Sequence, residues 1–192
     1  KLYHYWPIPW LLRFPDAYRS AAAARDIAVS CRIGTQYIRE TVAYQRKRVS
    51  EMLAERIGTG KMSRRAYLDE LARSRVVVSP FGLGEITLRD FEIFMSGALM
   101  LKPDMSGVET WPDFFQDGVT MVGYRWDLVD LEEKIESMLS HPTQAVAIAA
   151  EGQRVYRDHL IGPAAGERFA SHVRQLVDRC ETVKKRIAPP TA

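Results

Sequence analysis

One stretch of the chain, Arg75–Leu101, constrains the possible fold more than any other. It opens with Arg75–Ser79, a short β-branched apolar run of the kind that forms a buried parallel strand. A loop with two glycines follows, and then a helix predicted over Thr87–Ser96, which Gly97 ends. The next buried strand is predicted at Ala98–Leu101. Such a strand–loop–helix turn presents backbone N–H groups and the positive end of a helix at the carboxyl edge of a sheet, where anions bind.

The rest of the chain continues this alternation of apolar runs and amphipathic segments. We predict strands near residues 27–33, 75–79, 98–101 and 119–124, as parallel neighbours in one sheet. Further helices are predicted at residues 36–56, 64–73, 128–139, 143–160 and 167–185. This order indicates the α/β class, with a Rossmann-like parallel sheet and helices on both of its faces.

The composition is compatible with one main domain and two appendages. The chain has 192 residues, of which 46% are hydrophobic, enough for a sizeable core. We place an aromatic and alanine-rich arm or linker at residues 1–25, a ligand-binding α/β domain at 26–160, and a C-terminal helix with its tail at 161–192. Because the sequence does not begin with Met, we expect a fragment of a longer protein.

Residues 1–19, which are rich in Trp, Tyr and Pro, allow two interpretations. Aromatic residues favour the membrane interface, so this segment is one candidate for a peripheral membrane anchor. We favour an arm that packs on this domain or on a neighbouring one, because no sustained amphipathic helix with basic flanks is present. Two cysteines, Cys31 and Cys180, are too few for a disulfide framework, so a cytoplasmic location is expected.

The net charge is only +3, but its distribution along the chain is uneven. Residues 32–75 contain 11 Lys and Arg against 5 acidic residues, whereas residues 82–140 contain 4 against 12. A basic first half beside an anion-binding turn suits a phosphorylated ligand. Solvated helix faces that differ in sign would give the same distribution.

The first predicted strand ends in a second candidate anion-binding turn. Arg32 lies just before Gly34 and Thr35, and Thr35 is expected to cap the long helix over residues 36–56. On this helix Arg46, Lys47 and Arg48 are expected on the exposed side. Arg32 has two interpretations, as a phosphate contact or as an ordinary ion-pair partner.

The segment FGLGEITLRDFEIFMSGALML resembles the donor-binding stretch of glycosyltransferases with the GT-B fold. It looks closest to the glycosyl transferases group 1 branch that includes the spore-maturation-like proteins. Gly82 and Gly84 match the family's glycine-rich loop, Glu92 matches its helix glutamate, and Ser96-Gly97 matches its small-residue pair. The downstream segment FFQDGVTMVGYRWDLVDLEEKIESMLSHP is similar to the family's tail, so the resemblance covers about Asp26–Leu160.

This resemblance implies the C-terminal, donor-binding half of a GT-B glycosyltransferase. Such an enzyme transfers a sugar from a nucleotide-diphosphate sugar to an acceptor hydroxyl on a glycan or another hydroxyl compound. A second Rossmann-like domain, or a partner bound through residues 1–25, is expected to complete the site. No cofactor and no metal are expected to be required. Nucleic acid is not expected either, because no aromatic platform accompanies the basic helix.

The resemblance also implies roles for individual side chains. Glu92 would hydrogen-bond the ribose hydroxyls, because a carboxylate can accept from two O–H groups. Arg32 and Arg89 would neutralise charge on the leaving group, and Glu85 with Arg89 forms the candidate catalytic pair. The donor site is expected to comprise Arg32, Gly34, Thr35, Gly82, Leu83, Gly84, Ile86, Thr87 and Glu92.

One spacing departs from the family pattern. Retaining members carry two glutamates spaced E-x7-E, whereas Glu85 and Glu92 are spaced E-x6-E. An alignment from Glu92 places Gly84 at the first glutamate position. The alternative function is therefore a non-catalytic nucleotide-binding or protein-interaction module with the same fold. A dinucleotide fingerprint beginning at Gly82 is disfavoured, because Thr87 occupies the position of its third glycine.

Overall fold

The computed structural model describes residues 18–187, and it contains a four-stranded parallel sheet. The strands are β1 (Ile27–Ser30), β2 (Ser74–Val78), β3 (Leu99–Pro103) and β4 (Val122–Tyr124), in the spatial order β1-β2-β3-β4. Adjacent strands pair in parallel, with Val76 opposite Leu99 and Leu101 opposite Val122. The predicted fold class and the four predicted strands are confirmed.

Six helices occur among the described residues. They are α1 (Glu40–Leu53), α2 (Arg64–Arg73), α3 (Leu88–Ser96), α4 (Leu131–Ser140), α5 (Pro142–Ile161) and α6 (Ala165–Ile187). Ser63 caps α2, since its side chain accepts from the N–H of Ala66 at 3.3 Å. Gly97 ends α3 in the left-handed conformation, with φ of +67°. The end of α3 at Gly97 was correctly predicted from the residue type, and the bounds of α2 match the predicted helix over residues 64–73.

The two faces of the sheet bury different kinds of side chain. On one face, alternate strand residues such as Val76, Leu99 and Leu101 join the main apolar core with residues from α1, α4 and α5. On the other face, α2 contacts β1 and β2, while α3 contacts β3. Aromatic rings of Phe91 and Phe94 on α3 pack there against neighbouring rings at centroid distances of 5.4–6.2 Å. Helices therefore cover both faces, as predicted.

Two expectations for the first helix are wrong. Helix α1 begins at Glu40, and its N-cap residue is Arg39, so Thr35 does not cap it. The chain before the helix is instead held in a loop, because the N–H of Ile33 donates to the carbonyl of Thr59 at 3.0 Å. Arg46, expected on the exposed side, is 3% exposed because its guanidinium satisfies buried loop carbonyls.

The described chain falls into two compact units, the first ending at Tyr156 and the second beginning at Arg157, inside α5. The domain boundaries expected near residues 25 and 160 remain predictions. Within the first unit, Arg25 donates to the carbonyls of Ala72, Ser74 and Ser96. The anchor or arm predicted at residues 1–19 lies mostly outside the described residues. Across residues 18–187, no helix is long and apolar enough to cross a membrane.

Candidate nucleotide-binding site

At the carboxyl edge of the sheet, one buried side chain joins the loops that follow β1 and β2. The Nε of Arg46 donates to the carbonyl of Gly34 at 2.6 Å. Its Nη1 donates to the carbonyls of Pro80 at 3.3 Å and Phe81 at 2.8 Å. The guanidinium carbon also lies 5.0 Å from the ring centroid of Tyr37. Arg46 therefore fixes the spacing of the two loops and satisfies carbonyls that would otherwise lack partners.

A cavity of about 390 Å³ lies beside Arg46, among the loop after β1, the loop before α2 and the start of α3. Its lining comprises Arg32, Gly34, Gln36, Tyr37, Arg46, Lys61, Met62, Arg64, Tyr67 and Arg89. Five of these residues carry a positive charge and none is acidic. The electrostatic potential of a cavity lined by one sign of charge attracts ligands of the opposite sign, so this cavity favours anions.

Arg32 is held against the cavity wall by a carboxylate. Its Nε donates to both carboxylate oxygens of Glu70, at 2.9 and 3.0 Å, and the hydroxyl of Ser30 donates to the same carboxylate at 2.6 Å. Burial alone would raise the pKa of Glu70, but these hydrogen bonds lower it. A Cβ at Gly58 would come within 2.3 Å of the guanidinium, so a glycine is needed there to leave room for Arg32.

Arg89, in the first turn of α3, also lines the cavity. Its Nη2 donates to the backbone carbonyl of Arg32, and its guanidinium carbon lies 5.9 Å from the ring centroid of Tyr67. Its Nε and Nη1 are buried and make no hydrogen bond of standard geometry among the described residues, although the hydroxyl of Tyr67 lies nearby. Buried donors that lack such a hydrogen bond are rare in folded proteins, so these two nitrogens are candidates for binding ligand oxygens.

Glu92 lies one turn further along α3, behind the side chains that line the cavity. It is 5% exposed, and its Oε1 lies 3.1 Å from the Nη1 of Arg64, a half-exposed residue. Burial raises the pKa of Glu92, although the ion pair with Arg64 opposes this effect. Burial also raises the pKa of Tyr67, whose hydroxyl lies near both Glu92 and Arg89. The site therefore holds a carboxylate whose charge is costly to bury.

The other residues of the predicted donor site do not line the cavity. Gly82, Leu83, Gly84, Glu85, Ile86 and Thr87 form the loop between β2 and α3. Leu83 is 66% exposed, and its carbonyl accepts from Arg39 at 3.0 Å. Thr35 also lies outside the lining. The roles implied for these residues remain predictions.

Seven of the ten lining residues were not predicted from the sequence as site residues, and Lys61, Arg64 and Tyr67 around the start of α2 are among them. The order of strands and helices could have indicated Lys61, Arg64 and Tyr67, because helices that connect parallel strands begin at the carboxyl edge of the sheet. The start of α2 therefore belongs to the same edge as the starts of α1 and α3. Gly34 allows Lys61 to approach, since a Cβ at Gly34 would lie 2.9 Å from the Cε of Lys61.

Comparison with known families matches residues 17–165 to the glycosyl transferase-like family. The match covers most of the chain, and the chain belongs to this family. The family recognised from the segment around Glu92 is therefore confirmed.

Solved structures and curated proteins give weaker similarities. Anabaena HepE in complex with UDP-glucose has a TM-score of 0.46 at 11% identity, covering 67% of this chain and 36% of HepE. TarM has a TM-score of 0.49 at 10% identity, covering 81% and 36%. The pneumococcal O-GlcNAc transferase GtfA in complex with UDP and GlcNAc has a TM-score of 0.44 at 14% identity, covering 84% and 38%. TM-scores below 0.5 are too low to support an inference about this chain.

A curated protein of a different class also matches. Human mitochondrial intermediate peptidase is 27% identical over 139 residues, which are 66% of this chain and 18% of the peptidase. The peptidase of Pongo abelii matches to the same extent. The chain thus spans about a fifth of these curated relatives and just over a third of the solved structures.

Proposed function

We propose that the chain is the donor-binding domain of a GT-B glycosyltransferase that uses a nucleotide-diphosphate sugar. The observation that carries this proposal is the cationic cavity at the carboxyl edge of the parallel sheet. Five positive side chains, among them the largely buried guanidinium of Arg89, surround a space of about 390 Å³. Membership of the glycosyl transferase-like family supports this reaction, and the positive charge of the cavity suits a diphosphate.

The diphosphate would lie against Arg89 and Lys61, which both line the cavity. The Nε and Nη1 of Arg89 would donate to phosphate oxygens, which form strong charge-assisted hydrogen bonds with guanidinium groups. Arg32 is already paired with Glu70, so it would contribute positive potential at a fixed position. These groups would stabilise the negative charge that develops on the leaving nucleoside diphosphate.

The ribose would lie next to Glu92, whose carboxylate can accept from two hydroxyl groups. Arg64 now pairs with that carboxylate at 3.1 Å, and its side chain is 53% exposed. Binding would exchange the Arg64–Glu92 ion pair for hydrogen bonds from the ribose. The acceptor hydroxyl and a second Rossmann-like domain would complete the site.

Substitution Glu92→Gln tests the assignment of the ribose, because it keeps the shape of the side chain and removes its charge. We expect calorimetry to show nucleoside and nucleoside diphosphate binding weakened by about 1.5–3 kcal/mol, the scale of a charge-assisted hydrogen bond. The probes are uridine, guanosine and adenosine diphosphates with the full-length protein. If one of them binds and Glu92→Gln leaves its affinity unchanged, Glu92 does not hold the ribose.

The second candidate is a non-catalytic nucleotide-binding module, and one observation favours it. Glu85, the candidate catalytic carboxylate, lies in the β2–α3 loop and outside the lining of the cavity. Transfer or hydrolysis of a bound nucleotide sugar by the full-length protein would support the enzyme. Binding without turnover in the presence of a range of acceptors would support the module.

A further inference from the structure

Asp90, on α3, is a fully buried carboxylate with three different partners. The hydroxyl of Ser79, the first residue after β2, donates to its Oδ1 at 2.6 Å. The backbone N–H of Thr87, the last residue before α3, donates to its Oδ2 at 2.7 Å. The Nζ of Lys102, on β3, lies 2.9 Å from the same Oδ2. Asp90 therefore holds the first and the last residue of the loop between β2 and α3.

Lys102 adds a contact to the middle of this loop. Its side chain is fully buried, and its Nζ lies 5.1 Å from the ring centroid of Phe81 and 5.5 Å from that of Phe115. An ammonium group near an aromatic ring is attracted by the negative face of the ring. The loop that bears the predicted donor residues is thus fixed at Ser79, Phe81 and Thr87 by one buried ion pair.

We propose that Asp90, paired with Lys102, is a positioning residue that fixes the Ser79–Thr87 loop and the start of α3 for ligand binding. Arg89 and Glu92 flank Asp90 on the same helix, so the tether that holds the helix start also orients their side chains. This role rests on the proposed function, because it assumes that Arg89 and Glu92 bind the nucleotide-sugar donor. Because Asp90 is fully buried, it would act on the donor through Arg89 and Glu92 and not by direct contact.

Burial of the Asp90–Lys102 ion pair carries a large desolvation cost. Apolar residues of similar volume often stabilise a protein as well or better, so the pair is not needed for packing. Burial also lowers the pKa of Lys102, and the adjacent carboxylate of Asp90 opposes this effect. Removal of both charges together therefore leaves a neutral core, in which the loss of the loop tether can be separated from the loss of stability.

The test compares the double substitution Asp90→Ala/Lys102→Met with Ser79→Ala in the full-length protein. Hydrogen exchange reports the loop directly, and calorimetry with uridine, guanosine and adenosine diphosphates reports the site. We expect faster exchange in the Ser79–Thr87 segment and about tenfold weaker binding in the double variant, since charge-assisted hydrogen bonds are lost. Ser79→Ala, which removes one tether and no charge, should give a smaller change of the same kind.

Thr120→Val provides a control of matched burial. Its hydroxyl donates to the carbonyl of Phe114 at 2.6 Å, which is not part of the loop, and the side chain is 1% exposed. We expect Thr120→Val to lower stability, while hydrogen exchange in the Ser79–Thr87 loop and the affinity for the nucleoside diphosphates stay unchanged. Unchanged loop exchange in both the double variant and Ser79→Ala would overturn the positioning role. Absence of nucleotide binding to the wild type would instead overturn the proposed function, and hydrogen exchange would still decide whether Asp90 fixes the loop.

Discussion

At the scale of single residues, Glu92 is subject to two opposing electrostatic effects. Burial disfavours its charged form and raises its pKa, whereas the ion pair with Arg64 favours the charged form. Burial is the larger effect, because Arg64 is half-exposed and its charge is partly screened by solvent. The buried charge is a cost that a ligand hydroxyl could reduce by donating to it.

The direction of this shift predicts how stability depends on pH. At pH values just above the ordinary glutamate pKa of about 4.5, the folded chain keeps a proton on Glu92 that the unfolded chain has released. The contribution of Glu92 to the free energy of unfolding therefore falls as pH rises from 4.5 through the raised pKa, and is constant above it. Denaturant unfolding of wild type and Glu92→Gln between pH 4 and 8 should show wild type losing stability relative to the variant. A relative gain would mean that the Arg64 ion pair outweighs burial.

Arg46 illustrates what the sequence can and cannot predict at this scale. It belongs to a run of three basic residues, which suggested an exposed face, yet it lies at helical spacing from the buried Val49 and Leu53. Periodicity alone could have placed it on the inner face. Its partners, carbonyls in two loops distant in sequence, are set by tertiary structure and could not be predicted from the local pattern.

At the scale of elements, the ends of helices with a strong local signal were predicted well. Ser63 and Gly97 act through their own hydroxyl or backbone freedom, so their effect is readable from the residue type. The start of α1 was predicted too early, because Gly34 and Thr35 also suit a turn into a helix. Contacts of Gly34 with Arg46 keep that segment in a loop instead.

Gly97 and Gly118 both have positive φ, and alanine variants at the two positions separate the cost of backbone strain from the cost of steric crowding. Gly97 has φ of +67°, and a Cβ there would lie 2.5 Å from the carbonyl oxygen of Arg19. Gly118 has φ of +70°, and nothing lies within 4 Å of its added Cβ. We expect Gly118→Ala to cost about 1–2 kcal/mol through backbone strain alone. Gly97→Ala should cost about 1–3 kcal/mol more, because the new methyl group clashes with backbone.

Urea unfolding of both alanine variants, with Gly107→Ala as a control, measures this difference. Gly107 has open space around its added Cβ and no positive φ, so the control should change stability by less than about 0.5 kcal/mol. Equal losses at positions 97 and 118 would mean that the backbone near Arg19 moves freely enough to admit the methyl group.

At the scale of the whole molecule, the cavity gathers side chains that are far apart in sequence. Arg32 and Lys61 come from the loops before and after α1, and Arg89 comes from the start of α3; all three line one cavity at the carboxyl edge of the parallel sheet. The sequence predicted this edge as the anion site, and it named Arg32 and Arg89. Lys61 and Arg64 were missed because their placement depends on how α2 crosses between β1 and β2.

The central claim is that this cavity binds the diphosphate of a nucleotide sugar, and one calorimetric experiment tests it most directly. Uridine, guanosine and adenosine diphosphates and their nucleosides are titrated into the full-length protein. The same ligands are titrated into Lys61→Met/Arg64→Met and into Lys47→Met/Arg65→Met, a double variant with the same charge change outside the cavity.

We expect a diphosphate to bind more tightly than its nucleoside, because the cavity carries the positive charge. In Lys61→Met/Arg64→Met the preference for the diphosphate over its nucleoside should fall by about tenfold or more. Contacts to a charged ligand contribute roughly 1.5–3 kcal/mol each. The control variant should keep the preference within about twofold, because exposed charges outside the site contribute little. Failure of every diphosphate to bind the full-length protein, or equal loss of preference in both double variants, would contradict the assignment of the cavity.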